Sequence, residues 1–146
     1  MILNSKINGV GVWFYSLKTG RHLYLMRNDK KYTGHWALPG GKIENDETLI
    51  EAITRECTEE MGVMPEYIKL IPVEKFTADR NYFSYHTFFC LLENEFIPDL
   101  NHEHTGYAWI NSRTIPKPLH PGFWNTIKTK EIYKKLDTLV EIYTSH

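Results

Sequence analysis

The sequence predicts an α/β fold in a single domain, and three observations carry that expectation. Runs rich in β-branched and aromatic residues recur along the chain and read as strands. A helix with one continuous apolar stripe interrupts them, and a second helical run closes the chain. At 146 residues, one domain burying roughly 68–70 % of its unfolded surface is expected, and residues 1–146 are read as that domain. No internal repeat, linker or low-complexity tract breaks it.

The elements follow in order. Ile7 to Tyr15 and His22 to Arg27 read as strands joined through Lys18-Thr19-Gly20. A loop carrying Tyr32 to Gly41 leads into the helix, for which Asn45 or Asp46 is the expected cap, with Glu47 in the first turn. Leu49, Ile50, Ile53, Cys57 and Met61 recur at helical spacing, and Gly62 can end the helix in a left-handed conformation. Glu51 and Arg55, four residues apart, are expected to pair. Tyr67 to Phe76 and Tyr82 to Leu92 form two further strand-like runs around Thr77 to Asn81. Gly106 to Ile110 is a shorter strand. Pro116, Pro118 and Pro121 mark a rigid loop before a closing helix over Phe123 to Tyr143.

The helix has an electrostatic conflict built into it. Glu56, Glu59 and Glu60 stand at i, i+3 and i+4, so three carboxylates project from neighbouring points beside the apolar stripe. They occupy the last turns, where the helix dipole is already negative. A solvated acidic face would explain a bare Glu-Glu pair. Three acids at the unfavourable end call instead for a cation, and a hard divalent ion with oxygen ligands, Mg2+ or Mn2+, resolves the conflict.

The stretch around these acids is specific. Gly41 is followed by five residues and Glu47, then seven residues and Arg55-Glu56-Cys57-Thr58-Glu59-Glu60-Met61-Gly62-Val63. This resembles the signature of the Nudix (MutT-like) hydrolases, Gly-x5-Glu-x7-Arg-Glu-U-x-Glu-Glu-x-Gly-U, with U a bulky aliphatic. Cys57 is the one departure, and a buried cysteine behaves as a small hydrophobe. At roughly 6 % occurrence per letter, a chance match is below about one in a million. His35-Trp36-Ala37-Leu38-Pro39-Gly40-Gly41 is similar to the family's Trp-x-Leu-Pro-Gly-Gly approach to the motif. A phosphate-binding P-loop is excluded there, because Trp36 and Ile43 stand where glycine and Ser or Thr would be needed.

The resemblance implies a Nudix-type α/β/α sandwich with a mixed β-sheet between helices. It also implies a divalent-metal-dependent pyrophosphohydrolase acting on a nucleoside diphosphate linked to another group. It makes Glu56, Glu59 and Glu60 the central metal-and-base cluster, with Glu56 the first choice of base and Arg55 steadying the acids. The Gly40 carbonyl takes the family's place in the metal shell. A fourth acidic ligand is implied on a loop before a tryptophan-bearing strand, and Glu103 lies six residues ahead of Trp109. Arg27, Lys42 and Arg80 are candidate phosphate contacts that read equally as surface charges. Tyr82 and His120 are candidate substrate contacts. Aromatic residues on the strands, Trp13, Tyr15, Phe76, Tyr82, Tyr85 and Phe88, are expected to be mostly core, with a base-stacking residue among them.

Composition limits the partners. A net charge of −1 gives no basic field for polymeric nucleic acid, which argues against RNA decapping. Cys57 and Cys90, the two cysteines, suggest buried thiols in a reducing compartment. Met1 to Val12 contain neither a signal h-region nor a membrane span, so a cytoplasmic protein is expected. The expected partner is a small nucleotide; a homodimer is compatible with the sequence. The alternative function is a nucleotide-sensing module of the same fold without turnover, which would be expected to have lost motif acids. This chain keeps all of them. Among substrates, dinucleoside polyphosphates, ADP-ribose, nucleotide sugars, FAD, NADH and modified nucleoside triphosphates all fit. Tyr82 tilts the choice mildly toward the first, and Phe76 to Asn81 contains no proline of the kind that ADP-ribose hydrolases tend to carry.

Overall fold

A computed structural model describes residues 7–78, 82–111, 114–121 and 130–144, with Phe123 and Ile127. Within these, the strands are β1 (Ile7–Ser16), β2 (Arg21–Arg27), β3 (Trp36–Ala37), β4 (Gly40–Lys42), β5 (Lys69–Ala78), β6 (Phe83–Leu92) and β7 (His104–Asn111). The helices are α1 (Leu49–Met61) and α2 (Lys130–Thr144).

All seven strands belong to one mixed sheet. β1 runs parallel to β6 along its whole length, from Ile7↔Phe83 to Ser16↔Leu92, and every other pairing between these strands is antiparallel. The hairpin between β1 and β2 turns at Gly20, whose N–H donates to the Ser16 carbonyl (2.8 Å) in a left-handed conformation.

Strand alternation sorts the apolar residues to two faces. Val10, Val12, Phe14, Phe88 and Cys90 pack with Ala52, Ile53, Cys57 and Met61 of α1. Trp13, Tyr15, Phe89 and Leu91 point the other way, against Phe123, Ile127, Ile132 and Leu136. The result is the α/β/α sandwich that the sequence implied.

The feature that creates a site is the divergence of β1 and β2. They pair at Tyr15↔His22 and then separate. β4 pairs with β1 at Gly9↔Lys42, Val10↔Gly41 and Gly11↔Gly40, while β3 pairs with β2 at Leu25↔Ala37 and Met26↔Trp36. The two short strands, read from sequence as loop, thus line a fork between longer ones. The Val12 N–H donates to the Pro39 carbonyl across it (2.8 Å). The expected closing helix is seen as α2 over 130–144, with Phe123 and Ile127 also helical; the remaining residues of 122–129 lie outside the described set.

Candidate functional site

The start of α1 differs from the sequence expectation. Thr48 is the N-cap, and Thr48 and Glu51 form a capping box: Oγ1 of Thr48 accepts from the Glu51 N–H (3.1 Å) and Oε1 of Glu51 accepts from the Thr48 N–H (2.8 Å). Asn45 and Asp46 do not cap; they lie in a preceding turn where Asp46 has a φ of 68°. Glu51 is committed to the cap, so the expected Glu51–Arg55 pair is replaced. Arg55 instead forks onto Glu47, with Nε to Oε2 at 2.7 Å and Nη2 to Oε1 at 2.9 Å. Ile50, expected in the stripe, is 45 % exposed; the buried face is Ala52, Ile53, Glu56, Cys57, Glu60 and Met61. Gly62 ends the helix as expected, with a φ of 81° and its N–H donating to the Thr58 carbonyl.

Arg55 organises the acids. Besides Glu47, its Nη1 donates to Glu56 Oε1 (2.8 Å) and Glu59 Oε2 (3.4 Å), and its Nη2 donates to the Lys42 carbonyl (2.9 Å). One planar guanidinium therefore ties the helix to the preceding loop through several donors. The bidentate contact pulls the Glu47 carboxyl down to about 2.

Glu56 and Glu60 are the unusual acids, at 8 % and 2 % exposure. Burial raises the proton affinity of Glu56 despite Arg55 beside it, and Glu59 and Glu103 raise it further. Burial lifts Glu60 to about 9, opposed by the Gly40 N–H that donates to its Oε1 (2.9 Å). Glu56 and Glu103 push it in the same upward direction. Gly41 makes room for the Glu56 carboxylate, and Gly40 lets β4 lie close against β1. A Cβ on Gly41 would fall 2.6 Å from Cδ and Oε2 of Glu56, and one on Gly40, whose φ is 144°, would fall 2.0 Å from the Val10 carbonyl oxygen.

Glu56, Glu59, Glu60 and Glu103 line one pocket with Arg27, Lys42 and His104. Glu103 reaches it from the loop before β7, where the Asn28 N–H donates to its carbonyl and its own N–H donates to Asn101 Oδ1. A second cavity, of about 220 Å³, adjoins the first. Arg27, Leu38, Gly40, Gly41 and Lys42 line both. His120 lies on the second cavity, with its ring 4.3 Å from that of Tyr32 and its N–H donating to the Trp36 carbonyl. Burial and then Arg27 bring His120 down to about 4, so it is neutral at physiological pH. Tyr82 is 45 % exposed and lines neither cavity. Arg80 lies outside the described residues.

The donor set fits a hard divalent cation by chemistry: four carboxylates and loop carbonyls, all oxygen. The glycine cradle brings backbone close enough to share such a shell. Among the described residues, no three His, Cys, Asp or Glu side chains already stand together at ligand spacing. Arg55 holds Glu56 and Glu59, and the Gly40 N–H holds Glu60.

The position of Glu47 differs from the sequence expectation. Glu47 lies before the cap, as the clamp on Arg55, instead of in the first turn; the Thr48-x-x-Glu51 capping box is the sequence signal for that start. Tyr85, one of the strand aromatics expected to be mostly core with a base-stacking residue among them, lines the second cavity. Gly9 and Gly11, alternating in β1, were the available sign that something approaches that strand closely.

Comparison with known proteins places the chain. The NUDIX domain model matches residues 6–129. The ADP-ribose pyrophosphatase of Methanocaldococcus jannaschii is 39 % identical over 56 residues, covering 38 % of this chain and 33 % of that protein. This chain thus matches only about a third of that relative's length. The nucleoside triphosphatase NudI of Enterobacter is 32 % identical over 95 residues, covering 58 % of this chain and 67 % of that protein. The NUDIX domain of Shewanella oneidensis NrtR, solved with ADP ribose, superposes with a TM-score of 0.70 at 17 % identity, covering 90 % of this chain and 89 % of that one. With a family model spanning most of its length, the chain belongs to the NUDIX domain family.

Proposed function

We propose that this chain is a divalent-metal-dependent pyrophosphohydrolase that cleaves a nucleoside diphosphate linked to another group. The observation that carries the reading is the pair of buried carboxylates, Glu56 and Glu60, held against the Gly40–Gly41 backbone beside Arg55. Burying such acids costs folding free energy unless they are protonated or paired with positive charge. Relatives named as an ADP-ribose pyrophosphatase and a nucleoside triphosphatase support the substrate class.

In this reading Glu56, Glu59, Glu60, Glu103 and the Gly40 carbonyl hold Mg2+ or Mn2+. The ion supplies neutralisation of the pyrophosphate oxygens and a lowered pKa for water. The protein's part is proton transfer and orientation. Glu56, whose proton affinity burial has raised, takes the proton of the attacking water. Oxygen bonds to one phosphorus, the bridging P–O bond breaks, and the leaving phosphate carries away the electron pair. The products are a nucleoside monophosphate and the phosphorylated remainder. Arg55 keeps Glu56 and Glu59 in place, and Arg27 and Lys42, shared by both cavities, face the phosphates.

A panel of dinucleoside polyphosphates, ADP-ribose, nucleotide sugars, FAD, NADH and nucleoside triphosphates, assayed with Mg2+ and Mn2+ and with products identified, tests this. Hydrolysis of at least one member, abolished by excess EDTA, is expected. Stoichiometric binding without turnover across the panel would favour a sensing module and contradict the proposal.

A further inference from the structure

Glu103 reaches the acidic pocket from a loop, and the hydrogen bonds around it keep that loop in place. The loop is anchored on the C-terminus of α1, where the last carbonyls of a helix have no partner within it. The Asp99 N–H donates to the Met61 carbonyl (2.9 Å) and the Asn101 N–H to the Glu60 carbonyl (3.3 Å). Glu60 is thereby held at both ends, its Oε1 accepting from the Gly40 N–H and its carbonyl from Asn101. The segment that carries Glu103 thus docks on the backbone of a residue whose own side chain lines the same pocket.

From that anchor, two asparagines fix the Glu103 backbone. Oδ1 of Asn101 accepts from the Glu103 N–H (2.9 Å), two residues on, in a local turn that asparagine favours. On the other side, the Asn28 N–H donates to the Glu103 carbonyl (2.9 Å), and Asn28 Nδ2 donates to the His102 carbonyl (3.1 Å). Asn28 follows Arg27, which pairs with His104 at the irregular end of the β2–β7 ladder. Both backbone groups of Glu103 are therefore bonded, each to a different asparagine. Glu103 itself is exposed, so no packing around its side chain directs it, and its aim depends on its backbone. Neither asparagine lines the acidic pocket, so any effect they have on it passes through Glu103.

We propose that Asn101 and Asn28 are positioning residues of the metal site, which hold the Glu103 backbone from either side so that its side chain stands at the pocket before an ion arrives. A loop ordered in advance loses little further backbone freedom when the ion binds, so less of the binding free energy is spent on ordering it. Groups that orient a ligand from behind in this way alter metal affinity about 10–100-fold when removed. Their role rests on the reading of Glu103 as a metal ligand and goes beyond it in naming what aims that ligand.

Metal binding without nucleotide tests this apart from turnover. Mn2+ alone is titrated into the full chain, the free ion is followed by electron paramagnetic resonance, and melting temperatures are measured on the same metal-free proteins. Glu103→Gln and Asn101→Ala should each weaken Mn2+ about tenfold. Asn28→Ala, which loses the side-chain bond but keeps the backbone one, should weaken it about threefold, the equivalent of one exposed hydrogen bond. Asn101→Ser, whose hydroxyl can accept in a similar turn, should recover most of the affinity. The double variant Asn101→Ala/Glu103→Gln should bind no more weakly than Glu103→Gln alone. Parental Mn2+ affinity in a folded Asn101→Ala protein overturns the proposal whatever its melting temperature, because a turn that only supports the fold would lower stability alone. Parental affinity in Asn28→Ala overturns it as well, which decides the matter even where Asn101→Ala does not fold. So do losses that multiply in the double variant, since Asn101 would then act independently of Glu103. Parental affinity in Glu103→Gln would remove Glu103 from the metal site and the positioning role with it, whereas a loss in Glu103→Gln alone overturns only the positioning role. Hydrolysis is judged separately, by the nucleotide panel.

Discussion

Burial sets the behaviour of the acids one residue at a time. Glu60, nearly inaccessible and lifted to about 9, binds a proton in the folded state that it releases in the unfolded chain at neutral pH. Between its ordinary value and about 9 the folded state holds more protons than the unfolded chain, so stability falls as pH rises. The metal-free protein should lose up to about 1.4 kcal/mol per pH unit through this group between pH 6.5 and 9. Glu60→Gln should flatten that slope in denaturant titrations, and Mg2+ should stabilise the parent more strongly at pH 8.5 than at pH 6.5. A parent slope equal to that of the variant would refute the assignment of Glu60. Glu103 gives a second residue-scale test. Glu103→Gln should raise the Mg2+ concentration needed for half-maximal activity about tenfold or more, with thermal stability almost unchanged. Asp99→Asn, an exposed neighbour beyond Gly62, should match the parent at limiting Mg2+.

At the scale of elements, helix α1 is positioned by two separate devices. The Thr48–Glu51 capping box starts the helix, and the Arg55 fork ties it to Glu47 and to the Lys42 carbonyl. These have different consequences. Thr48→Ala should cost about 1 kcal/mol of stability, read as a drop of about 2–4 °C in melting temperature, while specific activity changes little. Arg55→Lys keeps the charge but cannot reproduce the fork, so it should lower kcat about tenfold or more at saturating Mg2+ without a comparable loss of stability. The motif spacing made the helix, its acids and its C-terminal glycine legible in the sequence. The start of the helix was less so, because Asn45, Asp46 and Thr48 are all competent caps and tertiary contacts chose among them. β3 and β4 were unreadable for a related reason: strands of two and three residues carry no periodicity. They exist because the diverging β1 and β2 leave backbone groups to pair.

Across the whole molecule, the two faces of the sheet have different tasks. The α1 face carries the acids, and the opposite face, against Phe123 and α2, holds the cavity that Tyr85 lines; the fork between β1 and β2 joins them. The layered architecture was implied by the motif resemblance, whereas the cavity depends on a Gly9–Gly11–Tyr85 register that only strand pairing reveals. The core also sets a global pH limit. His22 lies buried between Trp13 and Tyr15, its Nδ1 against the Phe14 carbonyl (3.0 Å), and burial lowers it to about 4. With its folded value below the unfolded one, its contribution is complete above pH 6.5 and is lost as pH falls toward 4. Denaturation midpoints of the parent should drop through that window more steeply than those of His22→Gln, which cannot charge; identical profiles would show that His22 does not set the acid limit.

The proposed hydrolysis depends on the buried carboxylates Glu56 and Glu60. The most direct measurement is kcat/KM of Glu60→Gln against the parent, at saturating Mg2+, on the best substrate from the nucleotide panel, with folding of both proteins verified by circular dichroism. A loss of at least about 100-fold in a folded protein is expected. A folded Glu60→Gln enzyme with parental kcat/KM would contradict the role of Glu60.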